Sequence, residues 1–114
     1  MDVLELAKNM ALAALEKKAV KIVMQDLRGK SDLCQYQMIC SGRNEKQTQA
    51  ICQSIEDVVR QKYGIKPVAV EGKQTGHWIL LDFGAVIVHI FEDSIRKYYA
   101  VESLWPGVNE IPVP

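Results

Sequence analysis

The chain has 114 residues, with 14 basic and 14 acidic side chains, 48% apolar content and 25% charged content. That length supports one hydrophobic core and is too short for two, and the composition is that of a globular chain. Zero net charge argues against the basic excess of phosphate-dominated nucleic-acid binders, so a protein partner is expected, with little or no direct nucleic-acid binding.

The chain opens with a helix. Asp2 followed by Glu5 resembles a capping box with Asp in place of Ser or Thr. Val3, Leu6, Ala7, Met10 and Ala14, with Leu4, Ala11 and Leu15 beside them, recur at helical spacing. Lys17 and Lys18 stand where cations favour a helix C-terminus. Residues 19–27 then read as a strand, with Val20, Ile22 and Met24 on one side. Arg28-Gly29-Lys30-Ser31-Asp32 is a polar loop. It contains Gly-Lys-Ser, but Met24 occupies the place of the upstream glycine of a phosphate-binding loop, so a solvated turn is expected.

A second strand runs over residues 36–41. Asn44 and Gln47 then form another capping signature, and Thr48, Ile51, Cys52, Ile55, Val58, Val59 and Tyr63 follow at helical spacing. Gly64 sits at the C-cap position and Pro67 blocks continuation. Residues 67–71 make a third strand, and Gly72 to Gly76 a turn. Residues 76–91 form a hairpin whose arms, rich in aromatic and β-branched residues, meet at Asp82-Phe83-Gly84-Ala85. Alternation along a strand puts Trp78, Leu80 and Asp82 on one face. An Asp there suits either a turn cap or a contact surface. A short helix is expected to Tyr99 and a further turn to Trp105, with residues 106–114 an irregular tail. The order predicts one α/β (α+β) domain with a mixed five-stranded sheet flanked by helices.

Catalytic and metal patterns are weak. His77 and His89 lie on opposite hairpin arms and could approach one another, but no third ligand is evident, so no metal or cofactor is expected. No G-x-S-x-G occurs. Asp82 stands alone on its strand without Asp-x-Asp, and a loop separates Asp26 from Asp32, whereas a two-metal site needs paired carboxylates. Cys34, Cys40 and Cys52 are odd in number and lack a C-x-x-C pair, which favours a reducing compartment. No run of about 18 apolar residues occurs, and Asp2 and Glu5 stand where a signal peptide would carry positive charge. A cytoplasmic chain without membrane contact is expected. What remains is surface: Trp78, Phe83, Tyr98, Tyr99 and Trp105 concentrate aromatics after position 77, and Trp and Tyr are enriched at interface hot spots.

The segment Trp78-Ile79-Leu80-Leu81-Asp82-Phe83-Gly84-Ala85-Val86-Ile87-Val88-His89-Ile90-Phe91 resembles the signature of the Iojap family, the ribosomal silencing factors. Three blocks agree in order and spacing: Cys34 to Gly42 with its Cys-Ser-Gly end, Val70-Glu71-Gly72, and Ile95-Arg96-Lys97-Tyr98-Tyr99 leading to Glu102-Ser103-Leu104-Trp105. The resemblance extends from the first helix to Trp105 and so implies one such domain over residues 1–105. It implies a nucleotidyltransferase-like fold without catalytic carboxylates. It also implies binding to the large ribosomal subunit through a ribosomal protein of the L14 family, and repression of translation by steric exclusion of the small subunit. Two positions depart from the family pattern: Gln35 where Asp is usual, and Ala85 where an acidic residue is common.

The leading expectation is therefore a non-enzymatic translation repressor that docks through Trp78, Leu80, Asp82 and Phe83, with His89 on the adjacent strand. Trp78 and Leu80 would be apolar anchors, and Asp82 and His89 polar registration. The alternative is a metal-dependent nucleotide-binding or nucleotidyltransferase-like enzyme, which calorimetry with nucleotide and metal would reveal. A homodimer using the same apolar face is a third reading, open to sedimentation.

Overall fold

The computed structural model describes residues Met1–Pro114. The elements are α1 (Val3–Glu16), β1 (Val20–Asp26), β2 (Tyr36–Gly42), α2 (Glu45–Tyr63), β3 (Ala69–Glu71), β4 (Trp78–Asp82) and β5 (Val86–Glu92). A 3₁₀ turn (Asp93–Ile95), α3 (Arg96–Tyr99), a second 3₁₀ turn (Val101–Leu104) and β6 (Glu110–Ile111) follow.

Both long helices begin at the expected caps. Asp2 Oδ1 accepts from the Glu5 N–H at 3.2 Å, and Asn44 Oδ1 from the Gln47 N–H at 2.9 Å. Each bond satisfies an N–H that the helix itself leaves unpaired. Gln47 reaches further, donating to the Lys17 and Lys18 carbonyls at the end of α1. One side chain thus joins the start of α2 to the close of α1. The alanines of α1 allow close approach, and Ser54 Oγ donates to the Ala13 carbonyl at 2.9 Å.

The sheet order is β3-β4-β5-β2-β1-β6. Its central pair, β2 and β5, is parallel, and every other pairing is antiparallel. All seven residues of β2 are buried, as expected of a parallel strand covered on both faces. α1 and α2 cover one face over Met38, Cys40, Ile79, Leu81, Val88 and Ile90. The segment from Asp93 to Leu104 covers part of the other, where Ile39, Phe91 and Val101 form a small second core.

The sheet has six strands, not the five expected, because Glu110–Ile111 pairs with Met24 and Gln25 on β1. The tail expected to be irregular therefore contains sheet. A two-residue strand leaves no periodicity to read, and its pairing depends on the edge that β1 offers. β1 also carries a bulge between Val20 and Val23, with Lys21 in the left-handed region at φ 53°. The third strand is shorter than residues 67–71, beginning at Ala69.

Candidate functional site

β4 divides its residues between two environments. Ile79 and Leu81 are fully buried under the helices, while Trp78, Leu80 and Asp82 lie on the opposite face and keep partial exposure. Trp78 stacks on Phe91 with ring centroids 5.1 Å apart and meets Tyr99 at 4.4 Å. Tyr99 is 50% exposed and its neighbour Tyr98 more so. Glu71, Trp78 and Leu80 line a shallow recess of about 220 Å³. This is a partly open aromatic and aliphatic ledge on a rigid strand, the kind of surface on which aromatic anchors supply binding energy.

His89 lies beneath it. β5 pairs His89 with Leu80, and the Trp78 indole Nε1–H donates to His89 Nδ1 at 3.1 Å. Nδ1 must be unprotonated to accept, so the remaining proton sits on Nε2. Burial pushes the His89 pKa down to about 4, which keeps the ring neutral and available as acceptor. At 7% exposure His89 offers a partner little surface. It orients Trp78 instead.

Asp82 ends the strand. Its Oδ1 accepts from the Gly84 N–H at 2.7 Å, and Phe83 N–H to the Val86 carbonyl at 3.0 Å closes the hairpin. Gly84 takes φ 82°, a conformation that an L side chain resists. The turn-cap reading of Asp82 is thus realised, with the carboxylate still partly exposed.

Phe83 does not join the ledge. It is 8% exposed and packs in the main core beneath the helices. Strand alternation explains the correction: Phe83 shares the parity of Ile79 and Leu81, not that of Leu80 and Asp82.

The two histidines do not meet either. His77 precedes β4 with its Nδ1 2.9 Å from Glu92 Oε2 and 3.7 Å from Glu45 Oε1, whereas His89 is held by Trp78. Glu45, His77 and Glu92 come from α2, the entry to β4 and the end of β5. Separations of 32 and 15 residues left no local motif for this group.

Arg96 was also hidden in the sequence. Its guanidinium is buried, paired with Glu102 at 2.9–3.0 Å and donating to the Lys21 carbonyl and Ser41 Oγ. Gln37 donates to Gln25, which donates to the Glu102 carbonyl. This polar layer fixes the C-terminal segment against the sheet and so sets the height of Tyr99 beside Trp78. A neighbouring recess of about 550 Å³ is lined by Lys21, Asp93, Arg96, Lys97 and Glu102 among others. Asp93 pairs with Lys21 there and Glu102 with Arg96, so two of its cations are already neutralised.

Asp26 and Asp82 end β1 and β4 at the same edge of the sheet, with β5 and β2 between them. Three strand spacings amount to about 14 Å, too far for the two carboxylates to share an ion. Asp26 instead pairs with Arg28 at 2.8 Å, which holds its pKa below the usual value. Cys40 and Cys52 are buried, and that burial pushes their pKa values up to about 12, so they remain thiols. No helix is long and apolar enough to cross a membrane. Gln35 and Ala85, far apart in sequence, are neighbours: the Gln35 N–H donates to the Ala85 carbonyl at 2.8 Å.

Comparison with known proteins bears on the whole chain. A family profile described as "Ribosomal silencing factor during starvation" matches residues 1–114. Two bacterial proteins named "Ribosomal silencing factor RsfS" are similar. That of Halalkalibacterium halodurans is 38% identical over 91% of this chain and 86% of its own length. That of Bacillus subtilis is 37% identical over 92% and 88%. The maize "Protein Iojap, chloroplastic" is 29% identical over 99% of this chain and 49% of its own. Among solved structures, a Chromobacterium violaceum protein superposes with a TM-score of 0.89 at 30% identity, covering 94% of this chain and 88% of that one. A Bacillus halodurans protein does so with a TM-score of 0.83 at 35% identity, covering 96% and 99%.

Proposed function

The chain belongs to the ribosomal silencing factor family, and from that premise we propose that it represses translation by occupying the large ribosomal subunit. In this reading it docks on a ribosomal protein of the L14 family, in the cytoplasm, and sterically prevents the small subunit from joining. It acts by occupancy and not by turnover.

The observation that carries the reading is the open ledge of Trp78 and Leu80, flanked by Tyr99, on the sheet face that the long helices leave free. Trp78 and Leu80 are the apolar anchors, and Asp82 supplies a carboxylate at their edge. His89 contributes through Trp78, whose indole it orients. Zero net charge favours a contact with protein over one with RNA phosphate.

Gradient sedimentation with purified large and small subunits tests this. The expected result is co-migration with the large subunit and fewer joined ribosomes. Trp78→Ala should weaken binding by about 2 kcal/mol or more if the indole is a hot spot. A folded Trp78→Ala protein with undiminished affinity would remove the ledge from the interface, and failure of the parent protein to bind would remove the reading itself.

A further inference from the structure

At the end of the β4–β5 pair opposite the Gly84 turn, three side chains from three elements converge. His77 Nδ1, one Glu45 oxygen and one Glu92 oxygen all lie within 4.8 Å of one another. Bonds of about 2.0–2.1 Å in a tetrahedral zinc site place ligand atoms about 3.3 Å apart. The observed 2.9 Å and 3.7 Å from Nδ1 to the two carboxylates lie on either side of that figure. Small side-chain rotations would bring all three onto one ion.

The backbone holds these elements together independently of the three side chains. The Glu92 N–H donates to the His77 carbonyl at 2.9 Å, and Thr48 Oγ1 donates to the Gly76 carbonyl at 2.7 Å. Gly76 makes the approach possible. A Cβ there would lie 2.8 Å from Glu45 Cβ and 2.9 Å from Thr48 Oγ1, and its φ of 77° disfavours other residues. Ser94 Oγ, 3.4 Å from Glu92 Oε1, engages the second oxygen of that carboxylate and leaves Oε2 toward His77. An outer partner of this kind orients a metal ligand.

We propose that Glu45, His77 and Glu92 form a binding site for one divalent transition-metal ion such as Zn²⁺, which accepts both imidazole nitrogen and carboxylate oxygen. Two carboxylates match the ion's charge, and the exposed side of the cluster leaves a fourth position to solvent. The bound ion ties the N-terminus of α2 to both strands beneath the ledge. His77 adjoins Trp78 in the chain and Glu92 adjoins Phe91, the two rings that stack, so occupancy stiffens one end of that surface.

The test uses the full chain, freed of metal with a chelator, and titrates ZnCl₂ by calorimetry into the parent protein, His77→Ala and Glu45→Gln. One equivalent bound with micromolar or tighter affinity is expected, weakened more than about tenfold by either substitution. His77 and Glu45 side chains are about half exposed, so both variants should keep the parent circular dichroism spectrum. Substitution with Co²⁺ supplies a second readout: visible d–d bands of nitrogen and oxygen ligation should appear without a near-ultraviolet thiolate charge-transfer band. No binding, equal binding by the His77→Ala protein, or a thiolate band that assigns the ion to a cysteine would each overturn the proposal.

Discussion

Leu80 and Leu81 are adjacent in the chain and identical in chemistry, yet they belong to different parts of the molecule. Leu81 is 0% exposed among Met38, Val88 and the helices, whereas Leu80 lies on the far face beside Trp78 and a shallow recess. The same division runs across the sheet. A 21-residue apolar core lies between one face and the helices α1 and α2, which contribute part of it. The other face has a core of three buried residues and relies on Arg96, Glu102, Gln25 and Gln37 to hold its covering segment. The helix-covered face supplies most of the apolar burial that stabilises the fold. That lets the opposite face keep large side chains partly in water, where a partner can reach them.

The largest expected effect breaks the first face. Leu81→Ala removes a fully buried side chain from a packed environment and should cost about 3 kcal/mol of stability in urea denaturation. A loss under about 1 kcal/mol would mean that this core is less tightly packed than the burial implies.

His89 sharpens the contrast through pH. Its folded-state pKa of about 4 lies below the ordinary 6.5. Above pH 6.5 the ring is neutral in both states and contributes no pH dependence. As pH falls below 6.5 the unfolded chain takes up a proton that the folded chain resists, so stability declines, by about 2 kcal/mol at pH 5. The decline levels off below about pH 4, as the folded form takes up its proton as well. Denaturation midpoints across this range should follow that course, and His89→Gln should flatten it.

Leu80→Ala should separate recognition from stability. Its partial exposure limits the folding cost to about 1 kcal/mol, while affinity for the large subunit should fall by about tenfold. Equal losses of stability and affinity would place Leu80 with Leu81 as a structural residue.

The smallest effect concerns Ala85, at the hairpin turn beside Gln35. Ala85→Asp should leave stability within about 0.5 kcal/mol. It adds one negative charge near Asp82, so binding to a basic partner surface should tighten and become more salt-sensitive. Unchanged affinity and salt dependence would show that the turn does not face such a surface.

Much of this architecture was legible locally. Both helix starts followed from Asp2 and Asn44, because a cap is a contact across three residues. The hairpin followed from β-branched arms around an Asp-Phe-Gly-Ala turn, and the ledge from the alternation of Trp78, Leu80 and Asp82. That same alternation places Phe83 in the core, so its assignment to the docking face overlooked a signal already present. β6 lacked any such signal, since two residues carry no period.

What the sequence by itself determined were the caps, turns and alternating faces, which depend on neighbours a few positions away, together with membership of the ribosomal silencing factor family, written in motifs that span the chain. Tertiary structure alone decided which polar side chains met. It buried Arg96 against Glu102 and Ser41, set His89 under the Trp78 indole, and gathered Glu45, His77 and Glu92 at one corner. The physical reason is that these contacts join residues up to 55 positions apart, brought together by strand register and helix packing.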